Sequence, residues 1–427
     1  MGPTIILDKS ILQALSKKEL IVLNKLYYVN VPPILPIEIL ADLKKVKDTE
    51  AINEKTVIEI SNKLIQKDNA FNVHYTNVII SSLLGINYTN ERRTIVRAKS
   101  KVKDENGEAG YLLEESDEEM AVKEWQKGNF SETEKILAAQ WRNYVKQIDL
   151  QKVKKEWSGV KAKVPECKSF SSLLSLTDNF LANIPMQKEL LFTFLEGLNL
   201  DQQLSSKIFY RWESENFKSI KDFAPYFYFV NRIETAFHIG LVYNLVSSKI
   251  SDKALIDMQY LYYLPFCNIF SSKDNFHKDF GVKFLFEDQT FVDGVDLKAD
   301  LANIISQLES EDTELKFDWS EKFYVEPPDD EKSITYRMWK KYIPAWHPSW
   351  FYQKSNYPQK DEKLSSELTE RVRKFEKIDF DPFEKFNDKE TDFITKISYI
   401  TLADQCPCGS GKKFGECCYS VDMKPDA

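Results

Sequence analysis

The stretch Thr4-Ile-Ile-Leu-Asp8 sets the fold, because it is an apolar run that ends in a carboxylate and precedes helical sequence. We predict a strand here, followed by a helix that Ser10 caps. A second strand is predicted at Tyr27-Tyr-Val-Asn-Val31, and the next helix is expected to begin near Pro36 with Glu38 in its first turn. The alternation of strand and helix predicts an α/β fold.

The rest of the chain continues this pattern with interruptions. Helices are predicted up to about Leu84, and a helical stretch is predicted from about Met120 to Ser248. Between them, the charged segment around the turn signal Asn106-Gly107 is interpreted as a surface hairpin or a mobile insertion. The remaining predicted elements are helices Ile11–Leu26, Asp252–Tyr263, Leu297–Leu308 and about Ser365–Lys377, and strands Cys267–Ser271 and Val282–Phe286.

The composition indicates a folded, helix-rich and acidic protein. Of 427 residues, 43% are hydrophobic and 13 are glycine, and the net charge is −8. Such a chain does not coat nucleic acid through bulk charge, so any contact would need a local patch or a bound metal. We find no secretory signal pattern and no apolar run of about 18 residues. We therefore expect a cytoplasmic protein without membrane contact, whose thiols stay reduced.

Four of the six cysteines are clustered in a C-x-C pair and a C-C pair. Two close pairs joined by a short loop can supply the tetrahedral thiolate ligation that Zn²⁺ prefers. A disulfide is the alternative, but adjacent cysteines are poorly placed to bridge each other. We predict a closed structural zinc site with the ligands Cys406, Cys408, Cys417 and Cys418.

The segment Cys406-Pro-Cys-Gly-Ser-Gly-Lys-Lys-Phe-Gly-Glu-Cys-Cys418 closely resembles the SEC-C motif, a knuckle appended to many unrelated proteins. The resemblance covers about 15 residues of 427. It implies a zinc-binding structural and adaptor module, at which a protein partner could dock. It does not identify the activity of the remaining chain.

Four carboxylates stand next to the predicted strands of the two α/β stretches. In parallel α/β folds, ligands bind beyond the carboxyl ends of the strands. Carboxylates at that edge would form a pocket that suits Mg²⁺ or Mn²⁺, which can activate a water and neutralise a phosphodiester. For any single one of them, a helix cap or a solvated charge is the alternative. The four are Asp8, Glu38, Asp257 and Asp274.

These carboxylates occur in two segments that resemble the two halves of a PIN-domain nuclease. The first half is Ile5-Ile-Leu-Asp8 together with Val31-Pro-Pro-Ile-Leu-Pro-Ile-Glu38, and the second runs from Asp257 to Ser-Ser-Lys-Asp274. The resemblance implies a Rossmann-type α/β/α domain and metal-dependent RNA cleavage. It also implies that the four carboxylates are metal ligands, and that Ser271 or Ser272 assists at the strand end.

The chain departs from a compact PIN domain, because 218 residues separate Glu38 from Asp257. We therefore predict a helix-rich α/β chain with a split PIN-like domain, a large helical insertion and a small C-terminal zinc knuckle. The expected segments are 1–90 and 249–310 for the two PIN-like halves, 91–248 for the charged hairpin and helical insertion, 311–400 for a charged and aromatic arm, and 401–420 for the knuckle.

Two further residues, which could be taken for members of the carboxylate site, are not predicted to be metal ligands. His277 is expected to be a surface or substrate-contacting side chain rather than a ligand. Glu234 is a competing carboxylate, for which an exposed helix face is the favoured interpretation.

Two segments are candidates for holding RNA. The basic run that contains Arg92, Arg93 and Arg97 offers phosphate contacts, with a solvated hairpin as the alternative. The segment from Arg337 to Tyr352 interleaves cations with aromatic rings, which suits base stacking. For this second segment, we favour an arm that packs across the core.

Two functions remain open from the sequence. One is a Mg²⁺- or Mn²⁺-dependent endoribonuclease that acts on RNA, with single-stranded DNA as a further substrate to consider, in a toxin, defence or RNA-processing setting. The other is a non-catalytic PIN-like scaffold that binds nucleic acid or a protein partner through the zinc knuckle. Convergence of the four carboxylates distinguishes the two.

Overall fold

A computed structural model shows a helix-rich α/β protein. The residues that it describes are 2–45, 49–64, 69–86, 92–96, 100–103, 109–112, 115–162, 165–198, 200, 202–246, 253–311, 327, 329–343, 376–378 and 413.

The strands of this part of the chain form two sheets. Five strands make a parallel sheet in the order β3-β2-β1-β6-β7, and three make an antiparallel sheet in the order β5-β4-β8. The strands are β1 (Thr4–Leu7), β2 (Tyr28–Val31), β3 (Asn69–Phe71), β4 (Ser100–Lys103), β5 (Ala109–Leu112), β6 (Ile269–Ser272), β7 (Thr290–Asp293) and β8 (Glu376–Ile378).

The parallel sheet has its switch point between β1 and β6. From β1 the chain goes to β2 and β3 on one side, and it later adds β6 and β7 on the other. Every residue of β1 and of β6 is buried, which requires layers on both faces of the sheet. A crevice outside the carboxyl ends of two such strands is where open α/β sheets bind ligands.

Helices surround and connect the strands. They are α1 (Lys9–Ala14), α2 (Lys17–Leu26), α3 (Ile34–Leu40), α4 (Glu50–Ser61), α5 (Tyr75–Leu83), α6 (Asp117–Gln126), α7 (Glu132–Gln147), α8 (Leu150–Glu156), α9 (Phe170–Ala182), α10 (Ile184–Gly197), α11 (Gln202–Ser214), α12 (Ile220–Phe223), α13 (Pro225–Val242), α14 (Ala254–Leu261), α15 (Asn275–Asp279), α16 (Gly294–Glu311) and α17 (Ile334–Tyr342). Short 3₁₀ turns occur at Ala41–Lys44, Trp157–Ala162, Leu264–Phe266 and Gly281–Phe284.

The opening of the chain differs in detail from the prediction. The predicted single helix is two helices, because Ser16 and Glu19 form a capping box that starts α2. Asp8, and not Ser10, caps α1. Helix α3 begins at Ile34, so Glu38 lies in its second turn.

Three further predictions need correction. The short strand β3 lies inside the stretch predicted to be helical up to Leu84, and strand β8 lies where the helix predicted at about Ser365–Lys377 was expected to end. The predicted strand Val282–Phe286 is wrong, because a 3₁₀ turn begins there and β7 follows it. Phe276, Phe280 and Phe284 instead follow one another at helical spacing, with neighbouring ring centroids 5.0 Å apart.

The structure confirms three other predictions. Strands β4 and β5 pair antiparallel, as a hairpin requires. Residues 115–246 are predominantly helical over their described part. The arm packs across the core through α17, where Trp339 is buried and its indole N–H donates to the Leu26 carbonyl at 2.8 Å. Residues 344–352 of the segment Arg337–Tyr352 lie outside the described ranges.

No helix within the described ranges combines the length and the apolar character that crossing a bilayer requires.

Candidate metal site at the carboxyl edge of the sheet

The four predicted carboxylates line one cavity of about 260 Å³. Asp8 directly follows β1, and Asp274 follows β6 after one intervening residue. Glu38 comes from α3, after β2, and Asp257 from the first turn of α14. The topology therefore brings four side chains together that are up to 266 positions apart in the sequence.

Asp8 is almost completely enclosed by hydrogen-bond donors and is 4% exposed. Its carboxylate accepts from the backbone N–H of Ile11 at 3.0 Å and from the hydroxyls of Ser10 and Ser272 at 2.8 and 2.6 Å. Burial raises the pKa of Asp8, but the opposite charge of His277 and these hydrogen bonds outweigh it and leave the pKa below its usual value. Asp8 is therefore held as an anion.

His277 lies beneath the cavity and is fully buried, so the prediction of a surface side chain is wrong. Its Nδ1 lies 2.8 Å from the Ser272 hydroxyl, and its Nε2 lies 2.8 Å from the Asp257 carbonyl. The Ser272 proton goes to Asp8, so this hydroxyl must accept from Nδ1–H, and a carbonyl can only accept from Nε2–H. The hydrogen bonds thus require an imidazolium.

The pKa of His277 agrees with that assignment. Burial lowers it, but the neighbouring Asp8 carboxylate and the Asp257 backbone raise it above its usual value. The same Ser272 hydroxyl also accepts from the backbone N–H of Asp274 at 2.9 Å. Of the two candidate serines, Ser272 therefore organises the strand end. The Ser271 hydroxyl is buried and has no hydrogen-bond partner among the described residues.

Glu38 and Asp257 are less well neutralised than Asp8. Glu38 accepts a hydrogen bond of 2.6 Å from the Tyr260 hydroxyl, and burial raises its pKa despite the nearby Lys9. Burial is also the main reason that the pKa of Asp257 rises to about 7, and the charges of Asp274, Glu38 and Asp8 add to it. Within the described ranges, no hydrogen-bond donor reaches the Asp257 carboxylate.

A second group of charges in the same cavity is built around Asp42. This carboxylate is fully buried and accepts from Lys9, Lys45 and Arg142 at 2.8, 3.0 and 2.5 Å. Lys9 also donates to the Glu38 carbonyl at 2.7 Å. Burial lowers the pKa of Lys9, and the carboxylates of Asp42 and Glu38 act against that change.

The donor set fits a hard divalent cation, because carboxylate oxygens are the ligands that Mg²⁺ and Mn²⁺ prefer. Asp257 in particular has a carboxylate that no donor among the described residues satisfies and that neighbouring negative charges destabilise. In the described part of the chain, however, no three His, Cys, Asp or Glu side chains already stand in a metal-holding group. Side chains would have to rotate inward around an ion.

Of the predicted substrate-binding arginines, the structure describes Arg92 and Arg93, and it buries the first and exposes the second. Arg92 is 7% exposed, donates to both carboxylate oxygens of Asp288 at 2.8 and 2.6 Å, and stacks over Phe286. Its guanidinium is thus used within the fold, and the predicted phosphate contact is corrected. Arg93 is exposed, and Arg97 lies outside the described residues.

Glu234 also differs from its favoured interpretation. It accepts a hydrogen bond of 2.8 Å from Tyr262, and burial raises its pKa, so it is not on an exposed helix face. It does not line the cavity of the four carboxylates.

Several cavity residues were missed from the sequence. Tyr260 could have been found, because it lies three residues after Asp257 and therefore on the same face of α14. Lys9 was adjacent to a predicted ligand. The sequence around Trp141 and Arg142 does not indicate that they line the cavity, because they reach it only through the packing of α7 against the Ala41–Lys44 turn.

Comparison with known proteins adds one finding. The family model of the SEC-C motif matches residues 403–420, a segment that contains all four clustered cysteines. The chain therefore carries this zinc-associated motif, although its cysteines lie outside the described residues. Neither the search of curated proteins nor that of solved structures found a match.

Proposed function

We propose that the protein is an endoribonuclease of PIN type that uses Mg²⁺ or Mn²⁺ at the cavity to hydrolyse RNA phosphodiester bonds. The observation that carries the proposal is the shared cavity of Asp8, Glu38, Asp257 and Asp274 at the switch point of a parallel sheet. In this proposal residues 91–248 are an insertion that splits the PIN-like domain.

The residues of the cavity would have different roles. A bound divalent cation lowers the pKa of a water molecule and offsets the charge of a phosphodiester. Among the described residues no donor reaches the Asp257 carboxylate, and Asp274 and Glu38 each accept a single hydrogen bond, so these three would turn toward the ion. Asp8 would contribute negative charge from a fixed position, which Ser272 and His277 maintain.

Cleavage of a labelled RNA by the purified full-length chain tests the proposal. We expect cleavage with Mn²⁺ or Mg²⁺, none with EDTA, and a loss of at least about 100-fold in Asp257→Asn and Asp274→Asn, because neutral ligands hold the ion poorly. The matched control is Glu59→Gln, an exposed carboxylate of α4 outside the cavity. Equal cleavage by all variants would show that a contaminating nuclease, and not this cavity, does the chemistry.

The second candidate function is a non-catalytic scaffold that binds nucleic acid or a protein. It is favoured by the absence of a preformed metal-holding group within the described ranges and by the cations that share the cavity. Absence of cleavage, together with absence of Mn²⁺ binding in calorimetry, would establish it over the nuclease.

We further propose that Cys406, Cys408, Cys417 and Cys418 bind one structural Zn²⁺, which the SEC-C match supports. Elemental analysis should find one zinc per chain, and Cys417→Ser should lose it. Full zinc occupancy in that variant would refute the ligand assignment. The knuckle would stabilise the C-terminal segment or dock a partner protein.

A further inference from the structure

The charges around the cavity fall into two groups. Asp8, Glu38, Asp257 and Asp274 form an acidic group, whereas Lys9, Lys45 and Arg142 surround Asp42 in the same cavity. The buried Asp42 carboxylate offsets only part of the positive charge of these three cations. The surroundings of Asp42 therefore carry an excess of positive charge, which suits an anion such as a phosphate.

Helix α7 brings an aromatic ring to the anion-favouring part. Ala138, Trp141, Arg142 and Val145 have the i, i+3, i+4, i+7 spacing of one helix face. Ala138 is buried, and the other three line the cavity. Trp141 is only partly buried, and its ring centroid lies 5.7 Å from that of Tyr144.

This face is held firmly in place. Arg142 donates from Nε to the Ala41 carbonyl at 2.8 Å and from Nη2 to the fully buried Asp42 at 2.5 Å. Since Arg142 directly follows Trp141 on α7, these bonds fix this part of the helix, and with it the position from which Trp141 lines the cavity. A flat aromatic side chain that is fixed beside cations can stack a nucleobase while the cations contact the phosphates.

We propose that Trp141 and Lys45 form a subsite for one nucleotide of single-stranded RNA next to the carboxylates. The inference rests on the proposed function for its choice of RNA as the ligand. Trp141 stacks the base and Lys45, whose side chain is 34% exposed, contacts its backbone phosphate, while Arg142 holds α7 in place through Ala41 and Asp42. Single strands are favoured over duplexes, because only an unpaired base presents a free face to the indole.

Equilibrium binding of a fluorescent single-stranded RNA, measured by anisotropy in EDTA, separates this subsite from catalysis. Trp141→Leu keeps an apolar side chain for packing but removes the stacking surface, and should weaken binding roughly 5- to 150-fold. Trp141→Phe should restore most of the affinity. The control is Tyr210→Ala, a 70% exposed aromatic residue outside the cavity, which should change the Kd less than twofold.

The base and the phosphate contacts can be tested separately. An RNA probe with an abasic site at the stacked position should bind wild type and Trp141→Leu equally. Lys45→Gln should reduce the slope of log K against log salt by about 0.7, the value for one phosphate contact on a single strand. Thermal melts confirm that each variant is folded.

The outcomes distinguish the subsite from the nuclease. Wild-type affinity in a folded Trp141→Leu variant, or no RNA binding by the wild-type chain, overturns the subsite even if RNA is cleaved. Binding that depends on Trp141, without any cleavage in Mn²⁺, retains the subsite and removes the nuclease. Equal affinity of the wild-type chain for duplex and single-stranded RNA also overturns the subsite.

Discussion

The ends of β1 and β6 carry similar sequences but use them differently. Each strand is followed by an aspartate that caps the next helix, with a serine two residues away: Asp8 with Ser10, and Asp274 with Ser272. Asp8 accepts hydrogen bonds from three donors and is buried, whereas among the described residues Asp274 accepts one, from the Phe276 N–H at 2.7 Å. The first aspartate is committed to structure, whereas the described donors leave most of the acceptor capacity of the second unused.

This difference predicts unequal effects of the same substitution. Asp8→Asn removes the negative charge beside the buried His277 and should lower the free energy of unfolding by about 3–5 kcal/mol. Asp274→Asn keeps the helix cap and should change it by less than about 0.5 kcal/mol. Urea unfolding of the metal-free proteins measures both values, and equal losses would contradict the distinction.

Asp257 should make stability depend on pH in metal-free protein. Its pKa is about 7 in the fold and near 4 when unfolded, so the folded state binds the proton more tightly. The associated stability is therefore present below about pH 4 and is lost as the pH rises toward 7.

The expected loss is about 2 kcal/mol, after allowance for the partial exposure of this carboxylate. We would measure the unfolding free energies of wild type and Asp257→Asn between pH 4 and 8. The difference between the two proteins gives the contribution of Asp257, because the titration of all other groups cancels. A constant difference across that range would mean that Asp257 titrates normally.

The adjacent serines of β6 give the prediction with the smallest expected change in stability, and each serves as a matched control for the other. Ser272→Ala removes the hydroxyl that joins Asp8, His277 and the Asp274 N–H, and should cost about 1–2 kcal/mol. Ser271→Ala removes a buried hydroxyl without a described partner and should be neutral or slightly stabilising. Differential scanning calorimetry compares the two, and similar losses would indicate that only packing matters at this strand end.

The sequence predicted those features that local chemistry determines. The apolar run before Asp8, the helical spacing around Asp257 and the strand before Asp274 are all short-range patterns, and with the carboxyl-edge rule they predicted one cavity. The split of the opening helix was equally readable, because Ser16-Lys-Lys-Glu19 is a capping box.

Other features depended on distant partners and could not be predicted in this way. Arg92 resembled a surface cation until its partner Asp288, 196 positions away, was known. His277 resembled a surface residue because burial of a charged imidazole needs Asp8 and Asp257 around it. Trp141 could not be assigned to the cavity from its local sequence, since only the docking of α7 on the Ala41–Lys44 turn gives it access to the cavity.

The pairing of β1 with β6 has a consequence for biosynthesis. Asp8 and Ser272 are 264 positions apart, and at 5–20 residues per second the ribosome needs roughly 10–50 s to travel between them. During that time one edge of the apolar strand β1 lacks its native neighbour, and an unpaired apolar edge is a template for aggregation. We therefore expect the nascent chain to depend on chaperones until β6 emerges, and the cavity to be absent until then.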